Sequence, residues 1–180
     1  MKKVAVILAD GFEEIEAMSI LDILRRGGVE TLAVGLEDTK IKGAHGLEII
    51  SDVIFESVNF ANIDMIVLPG GLPGSEHLAK SAKLQAKLKQ LKSSNKKIAA
   101  ICAAPWALKS AEVLGKSYTC YPGFEAKINH PGYTDTQNVV IDGNIITSKG
   151  PATAMEFALE LLKELEGETK FKEVKAGLLA

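Results

Sequence analysis

Two cysteines in 180 residues, Cys102 and Cys120, are too few for a disulfide framework, so stability has to come from a packed core. The three histidines, His45, His77 and His130, show no paired metal-ligand spacing and have no Cys-x-x-Cys near them. Each reads as a surface or capping residue rather than a ligand, and no metal or other cofactor is expected. No charge of one sign dominates: the formal charge is −2, which leaves no electrostatic footprint for nucleic acid or an anionic membrane. No apolar run approaches the ~18 residues of a membrane span. The opening Met1-Lys2-Lys3 and the short apolar stretch that Asp10 interrupts lack the length and cleavage site of a secretory leader. The expectation is one cytoplasmic domain over residues 1–180, with no nucleic-acid or membrane partner.

What is present is an alternation of short apolar runs with amphipathic stretches, the pattern of βα units around a mostly parallel sheet. Residues 4–9 form a near-continuous apolar strand, as expected when both faces are covered. Residues 13–26 follow as a helix, with Ile15, Met18, Leu21 and Leu24 predicted inward and Gly27-Gly28 as its stop. Residues 29–35 read as a second strand, residues 40–53 as a small hairpin at the sheet's edge, and residues 65–68 as a third core strand. Leu84, Leu88 and Leu91 mark a helix whose lysine-rich face is read as solvated. Residues 117–120 suggest a short strand with Cys120 buried at its end, and Asp142-Gly143 a hairpin turn. Residues 153–165 read as a helix with Met155 and Phe157 inward, and a short helix is expected at about 170–176.

Three strand ends carry candidate chemistry, because sites in such sheets form beyond the carboxyl ends of the strands. Cys102 closes the run 97–101 and precedes Ala103-Ala104-Pro105-Trp106, a turn into a helix. A thiol delivered there sits as a nucleophile elbow would hold it, and a helix N-terminus favours thiolate. Its pKa is therefore expected well below the free value of about 8.5. Glu16, in Asp10-Gly11-Phe12-Glu13-Glu14-Ile15-Glu16, is placed to lean over the sheet edge toward Cys102, protonated because a thiolate and burial would both raise its pKa. Glu13 and Glu14 are read as carboxylates that complement the helix dipole. Together the acidic residues argue against a phosphate cradle. Gly70-Gly71 opens backbone N–H groups that, with that of Ala103, suit an oxyanion. His130, in the polar stretch after the Cys102 unit, is a candidate base.

Taken together, residues 9–16, Val67-Leu68-Pro69-Gly70-Gly71, Ala99-Ala100-Ile101-Cys102-Ala103-Ala104-Pro105 and Thr147-Ser148-Lys149-Gly150-Pro151-Ala152-Thr153 resemble the ThiJ/PfpI superfamily. The resemblance is to its DJ-one (parkinsonism-associated deglycase) branch and covers essentially the whole chain. It implies a flavodoxin-like α/β sandwich and a homodimer, to which the outer face of the first helix, with Arg25 and Arg26, would contribute. It also implies Cys102 as reactive cysteine, Glu16 as its carboxylic partner, and Gly71 and Ala103 as backbone donors. Peptidase-like members place a histidine directly after the cysteine, where this chain has Ala103. Counting back from Asp142-Gly143, the branch's catalytic histidine falls on Pro131, one place from His130. The implied activity is a cofactor-independent, cysteine-dependent glyoxalase or deglycase acting on glyoxal, methylglyoxal or their early adducts. The alternatives are a stress-response protein, redox sensor or chaperone-like, built on an oxidisable Cys102, and a cysteine hydrolase or peptidase.

Overall fold

The computed structural model describes all 180 residues. Its central sheet contains β1 (Lys3–Leu8), β2 (Glu30–Gly35), β5 (Val53–Ile54), β6 (Met65–Leu68), β7 (Lys97–Ile101), β8 (Val139–Asp142) and β9 (Ile145–Ser148). The order across the sheet is β5-β2-β1-β6-β7-β9-β8, with every neighbour pair parallel except β8 against β9. The remaining strands, β3 (Lys40–Lys42) and β4 (Glu48–Ile50), pair only with each other. The hairpin expected at the sheet's edge is thus a separate two-stranded sheet, and Val53–Ile54 alone takes the edge.

Each strand divides its side chains between two cores, as the period of two requires. In β1, Val4, Val6 and Leu8 enter one cluster while Ala5 and Ile7 enter the other. The first cluster is closed by α1 (Glu14–Arg26), α6 (Ala154–Glu166) and α7 (Glu168–Gly177), through Ile20, Leu24, Phe157, Leu161 and Val174. The second is closed by α2 (Gly74–Lys80), α3 (Ala82–Ser93) and α4 (Pro105–Ser110), through Leu78, Leu84, Leu88 and Ala107. The clusters hold 26 and 27 buried residues, so the sheet is covered equally on both faces, which is why its strands read as unbroken apolar runs. None of the helices is long and apolar enough to cross a membrane.

Several local expectations change. In α1 the buried set is Glu14, Glu16, Ala17, Ile20, Leu21, Ile23 and Leu24, while Ile15 is 57% exposed and Met18 36% exposed. The first turn of α1 lies over the ends of the strands, not over their apolar faces, so carboxylates take the inward positions there. Arg25 and Arg26 pair within the chain with Asp52 and Asp22, each at 2.7 Å, and their side chains stay half-exposed on the outer face of α1. Residues 117–120 form no strand, only a bridge between Tyr118 and Tyr133. The β8–β9 turn is Gly143-Asn144, one residue later than expected, because Asp142 pairs with Ile145. Met155 is exposed. The short helix α5 (Phe124–Ile128) follows the Cys120 segment.

Candidate functional site

The chain runs outward from β1 to β2 on one side and from β1 to β6 and β7 on the other, so a crevice opens beyond the ends of β1, β6 and β7. Glu16, Gly70-Gly71 and Cys102 all lie at that opening. Cys102 is the residue after β7 and has φ of +66°. For a side chain other than glycine this left-handed conformation costs about 1–2 kcal/mol, and tertiary bonds hold it. The Cys102 N–H donates to Ser148 O at 3.0 Å, and its carbonyl accepts from Tyr121 N–H at 2.9 Å. The strain turns the thiol out of the strand direction, back over Gly70.

Gly70 is needed there. A Cβ at that position would stand 2.5 Å from Cys102 Cβ, 2.8 Å from Glu16 Oε2 and 3.0 Å from the sulfur. Without it, Gly70 N–H donates to Glu16 Oε2 at 2.7 Å and fixes the carboxyl beneath the thiol. Gly71 follows with φ of +91°, and its N–H and that of Ala103 act on the sulfur and hold its pKa down.

Glu16 is fully buried. Burial pushes its carboxyl up to about 7, against the Gly70 N–H and the Cys102 contact, with the charge of Glu13 adding to the rise. Oε1 has no hydrogen-bond partner of ordinary geometry, while the carboxyl and thiol are close enough to shift one another's titration. Cys102 is 9% exposed. Contrary to the expectation of a depressed pKa, burial raises the thiol, and the Glu16 charge raises it further against the two N–H donors. The following helix α4 spans only six residues and brings too little dipole to reverse this. The two acids form one coupled pair in which a single proton is easily kept and a double negative charge is strongly opposed.

A pocket of roughly 600 Å³ opens above the thiol, lined by Glu13, Ile15, Ala44, His45, Gly71, Leu72, Cys102, Ala103, Tyr121, Phe124 and Pro151. His130 is not among them. It lies behind Tyr118, ring edge to face with centroids 5.8 Å apart, and the structure does not bring it to Cys102. The histidine at the pocket is His45, on the β3–β4 hairpin, which nothing in the sequence singled out. Its ring Nδ1 is 3.0 Å from Glu14 Oε2 and 3.5 Å from Glu13 Oε2. Its N–H donates to Glu14 Oε1 at 2.7 Å. Burial alone would raise Glu14, but the bonds from the His45 ring and from the His45 and Leu47 N–H groups outweigh it and lower the carboxyl. The Glu14 bond, then the Glu13 and Glu14 charges, raise His45 in return. Glu13, Glu14 and His45 bring donor atoms within 4.8 Å of one another, but Glu14 and His45 are already engaged with each other in hydrogen bonds that tie the hairpin to α1. Glu13, read from sequence as a dipole partner only, is therefore part of the pocket wall, and Glu14 stands behind it as the anchor of His45. The signal that could have found His45 is its place in the turn of a hairpin too short to stand alone.

A second hollow of roughly 370 Å³ lies over the ends of β1 and β2, lined by Asp10, Glu37, Asp38, Lys40, His77 and Lys80 among others. It contains no thiol and mixes both charge signs, so the Cys102 pocket is the candidate site.

Residues 2–164 match the model of the DJ-1/PfpI family. Protein dj-1beta of Drosophila melanogaster is 42% identical over 99% of this chain and 97% of its own, and its crystal structure superposes with a TM-score of 0.96 over 99% and 98% of the two chains. A Caenorhabditis elegans protein named glutathione-independent glyoxalase DJR-1.2 is 38% identical over 94% of this chain and 92% of its own. An oxidized DJ-1 from Toxoplasma gondii matches with a TM-score of 0.92 at 37% identity, over 99% and 98% of the chains.

Proposed function

Since the chain belongs to the DJ-1/PfpI family, we propose that it is a cofactor-independent glyoxalase or deglycase that uses Cys102 on glyoxal, methylglyoxal or their early amine adducts. The observation that carries this reading is the coupled Glu16–Cys102 pair beneath an open pocket, with two N–H groups at the sulfur. A C. elegans relative bears the name of such an enzyme, which supports it.

In the forward direction the Cys102 sulfur adds to the aldehyde carbon as its proton passes to the carbonyl oxygen, giving a hemithioacetal. The N–H groups of Gly71 and Ala103 stabilise the oxygen while it is negative. Glu16, whose carboxyl titrates at about 7, is poised both to accept and to return a proton. It carries the hydrogen from the former aldehyde carbon to its neighbour by way of an enediol. The product on sulfur is a thioester of a hydroxy acid, and water releases it. Ala103 stands where peptidase-like relatives need a histidine, which disfavours proteolysis.

The test is turnover of methylglyoxal to lactate by metal-stripped protein without glutathione. A rate no greater than that of a free thiol overturns the reading.

The second reading is a redox sensor, favoured by the buried Oε1 of Glu16 and by the oxidized state of a related T. gondii protein. A protonated Glu16 would donate to a sulfinate formed on Cys102. Under that reading peroxide drives Cys102 to sulfinic acid while dicarbonyl turnover stays at the thiol background.

The family resemblance also supports a two-fold dimer. The exposed Ile15 and Met18 on α1 and Leu47 on the hairpin supply its apolar surface. Light scattering at micromolar concentration checks this, and a monomer mass rejects it.

A further inference from the structure

Glu16 explains proton movement below the sulfur, but it is sealed from solvent, and the water that must release the product enters from the pocket's open side. We propose that His45 is the general base of that last step, taking a proton from the water that attacks the acyl group on Cys102. This rests on the thioester route proposed above.

Three observations carry it. First, His45 lines the same pocket as Cys102 while its side chain is 72% exposed, so it spans the site and the solvent. Imidazole is also the side-chain type whose ordinary titration falls nearest neutral pH.

Second, the ring is oriented. An ionised carboxylate only accepts, so the 3.0 Å contact of Nδ1 with Glu14 Oε2 puts the hydrogen on Nδ1. The neutral ring then carries its lone pair on Nε2, the atom left free for water. A base fixed in one tautomer by a carboxylate is the general arrangement for activating a nucleophile.

Third, one side chain fixes the whole residue. Glu14 accepts from the His45 backbone N–H with one oxygen and meets the ring with the other. It is nearly buried and two residues from Glu16 on the same helix.

The titratable groups around His45 are Glu13 just before α1, Glu14 in its first turn and, across the pocket, Cys102 with Glu16 behind it. Tyr121 is the other titratable lining residue, and on the hairpin itself Lys40 is paired with Glu48 at 3.0 Å. The two nearby carboxylates raise the imidazole's proton affinity, which strengthens it as a base.

The step balances without an oxidant or reductant. The water oxygen bonds to the acyl carbon as Nε2 takes one of its protons. The tetrahedral oxyanion collapses, the C–S bond breaks with its electron pair going to sulfur, and the hydroxy acid leaves. The imidazolium proton passes to the sulfur or to solvent.

The experiment uses the full chain with methylglyoxal and compares wild type with H45N, H45A and E14Q. In H45N the shorter amide can still donate to Glu14 but offers no base at Nε2. We expect kcat in H45N to fall by roughly 10²–10⁴-fold, the usual contribution of a positioned base. Adduct formation on Cys102, followed by intact mass in quenched flow, should stay within about twofold because it precedes the step assigned to His45. The adduct should accumulate and be released by hydroxylamine as a hydroxamate, which marks it as a thioester. Added imidazole should restore part of the rate in H45A. The plateau that ends the rising limb of wild-type kcat should be lost in H45N, where release then rises with hydroxide alone, and the limb should move to lower pH in E14Q, where the raising charge is gone.

Activity in H45N equal to wild type, with no accumulated acyl adduct and an unchanged pH limb, would overturn the assignment and leave the glyoxalase reading standing. Activity lost in H45A but recovered in H45N would also overturn it, since the residue would then only position the hairpin. A wild-type protein that forms neither lactate nor a Cys102 adduct removes the glyoxalase reading and this assignment with it.

Discussion

Cys102 and Cys120 are both free and both buried, and burial raises the titration of both. Cys120 is pushed up to about 12, with the charge of Glu125 adding to the rise, and nothing there lowers it. Cys102 is opposed by two backbone N–H groups and shares its proton with a carboxyl that titrates near neutral pH. Each thiol belongs to one of the two core clusters, but only Cys102 also floors a pocket, and the two segments are joined through the Tyr121 N–H on the Cys102 carbonyl. Burial therefore does not separate an inert cysteine from a reactive one here. The neighbours that can hold a proton or a negative charge do.

The comparison breaks most sharply under deletion of each thiol. Cys102→Ala should lower methylglyoxal turnover by at least about 10³-fold, in the range seen when a nucleophile is removed. The same assay on Cys120→Ala should stay within about twofold of wild type, with stability changed by about 1 kcal/mol. Equal losses in both variants would mean that the reactive thiol has been misassigned.

Glu16→Gln comes next. It keeps a hydrogen-bond donor and removes acid–base capacity, and turnover should fall by roughly 10²–10⁴-fold. Because the variant also removes the charge that raises Cys102, iodoacetamide labelling of Cys102 should shift to lower pH while labelling of Cys120 does not move.

The same variant sharpens the contrast in stability. The folded carboxyl at about 7 lies above the ordinary 4.5, so the folded state holds its proton more tightly than the unfolded chain does. Stability from this group is complete below pH 4.5 and is lost as pH rises through 7. Measured by urea denaturation, Glu16→Gln should gain on wild type by about 3 kcal/mol between pH 4 and pH 8. A difference that does not change with pH would show that Glu16 is not held protonated.

The smallest effect concerns the glycine under the thiol. Gly70→Ala forces a methyl group against Cys102 Cβ and Glu16 Oε2, and should cost about 1–3 kcal/mol as overpacking does. Its labelling of Cys102 should change and that of Cys120 should not.

The sheet was readable because strands covered on both faces are apolar throughout, as Val4 to Leu8 and Met65 to Leu68 are. The three strand ends were readable because a strand-to-helix turn, a glycine pair and an acidic helix start each leave a local mark. What escaped was whatever depends on a neighbour distant in sequence. Helical spacing predicts Ile15 inward, but the neighbours of the first turn of α1 are Gly70 and Cys102, so Glu16 is inside and Ile15 out. His130 looked closer to the site than His45 because it follows the Cys102 unit along the chain. The segment after β7 reaches the opening through Tyr121 and Phe124 and leaves His130 behind Tyr118, while the hairpin's tertiary ties, that of Glu14 among them, put His45 there. The thiol pKa follows the same rule: a helix start is visible in sequence, and the depth of burial, which raises the thiol, is not.

The hairpin that carries His45 has a mechanical consequence. Two paired strands of three residues each have little stability of their own, and their ties run to one short stretch of chain. Gly11 N–H donates to Lys42 O, Ala44 N–H to Phe12 O, and Lys42 N–H to the Asp10 carboxylate; Glu14 takes the His45 and Leu47 N–H groups. That stretch leads directly into Glu16. The hairpin and the acid beneath the thiol are thus tied to the same run of chain, which Gly70 holds through both of its backbone polar groups: Glu13 N–H donates to its carbonyl and Glu16 accepts its N–H. The chain that anchors the pocket wall is therefore the same chain that seats the acid beneath Cys102, so the wall has no anchorage in this stretch independent of the residues around the shared proton.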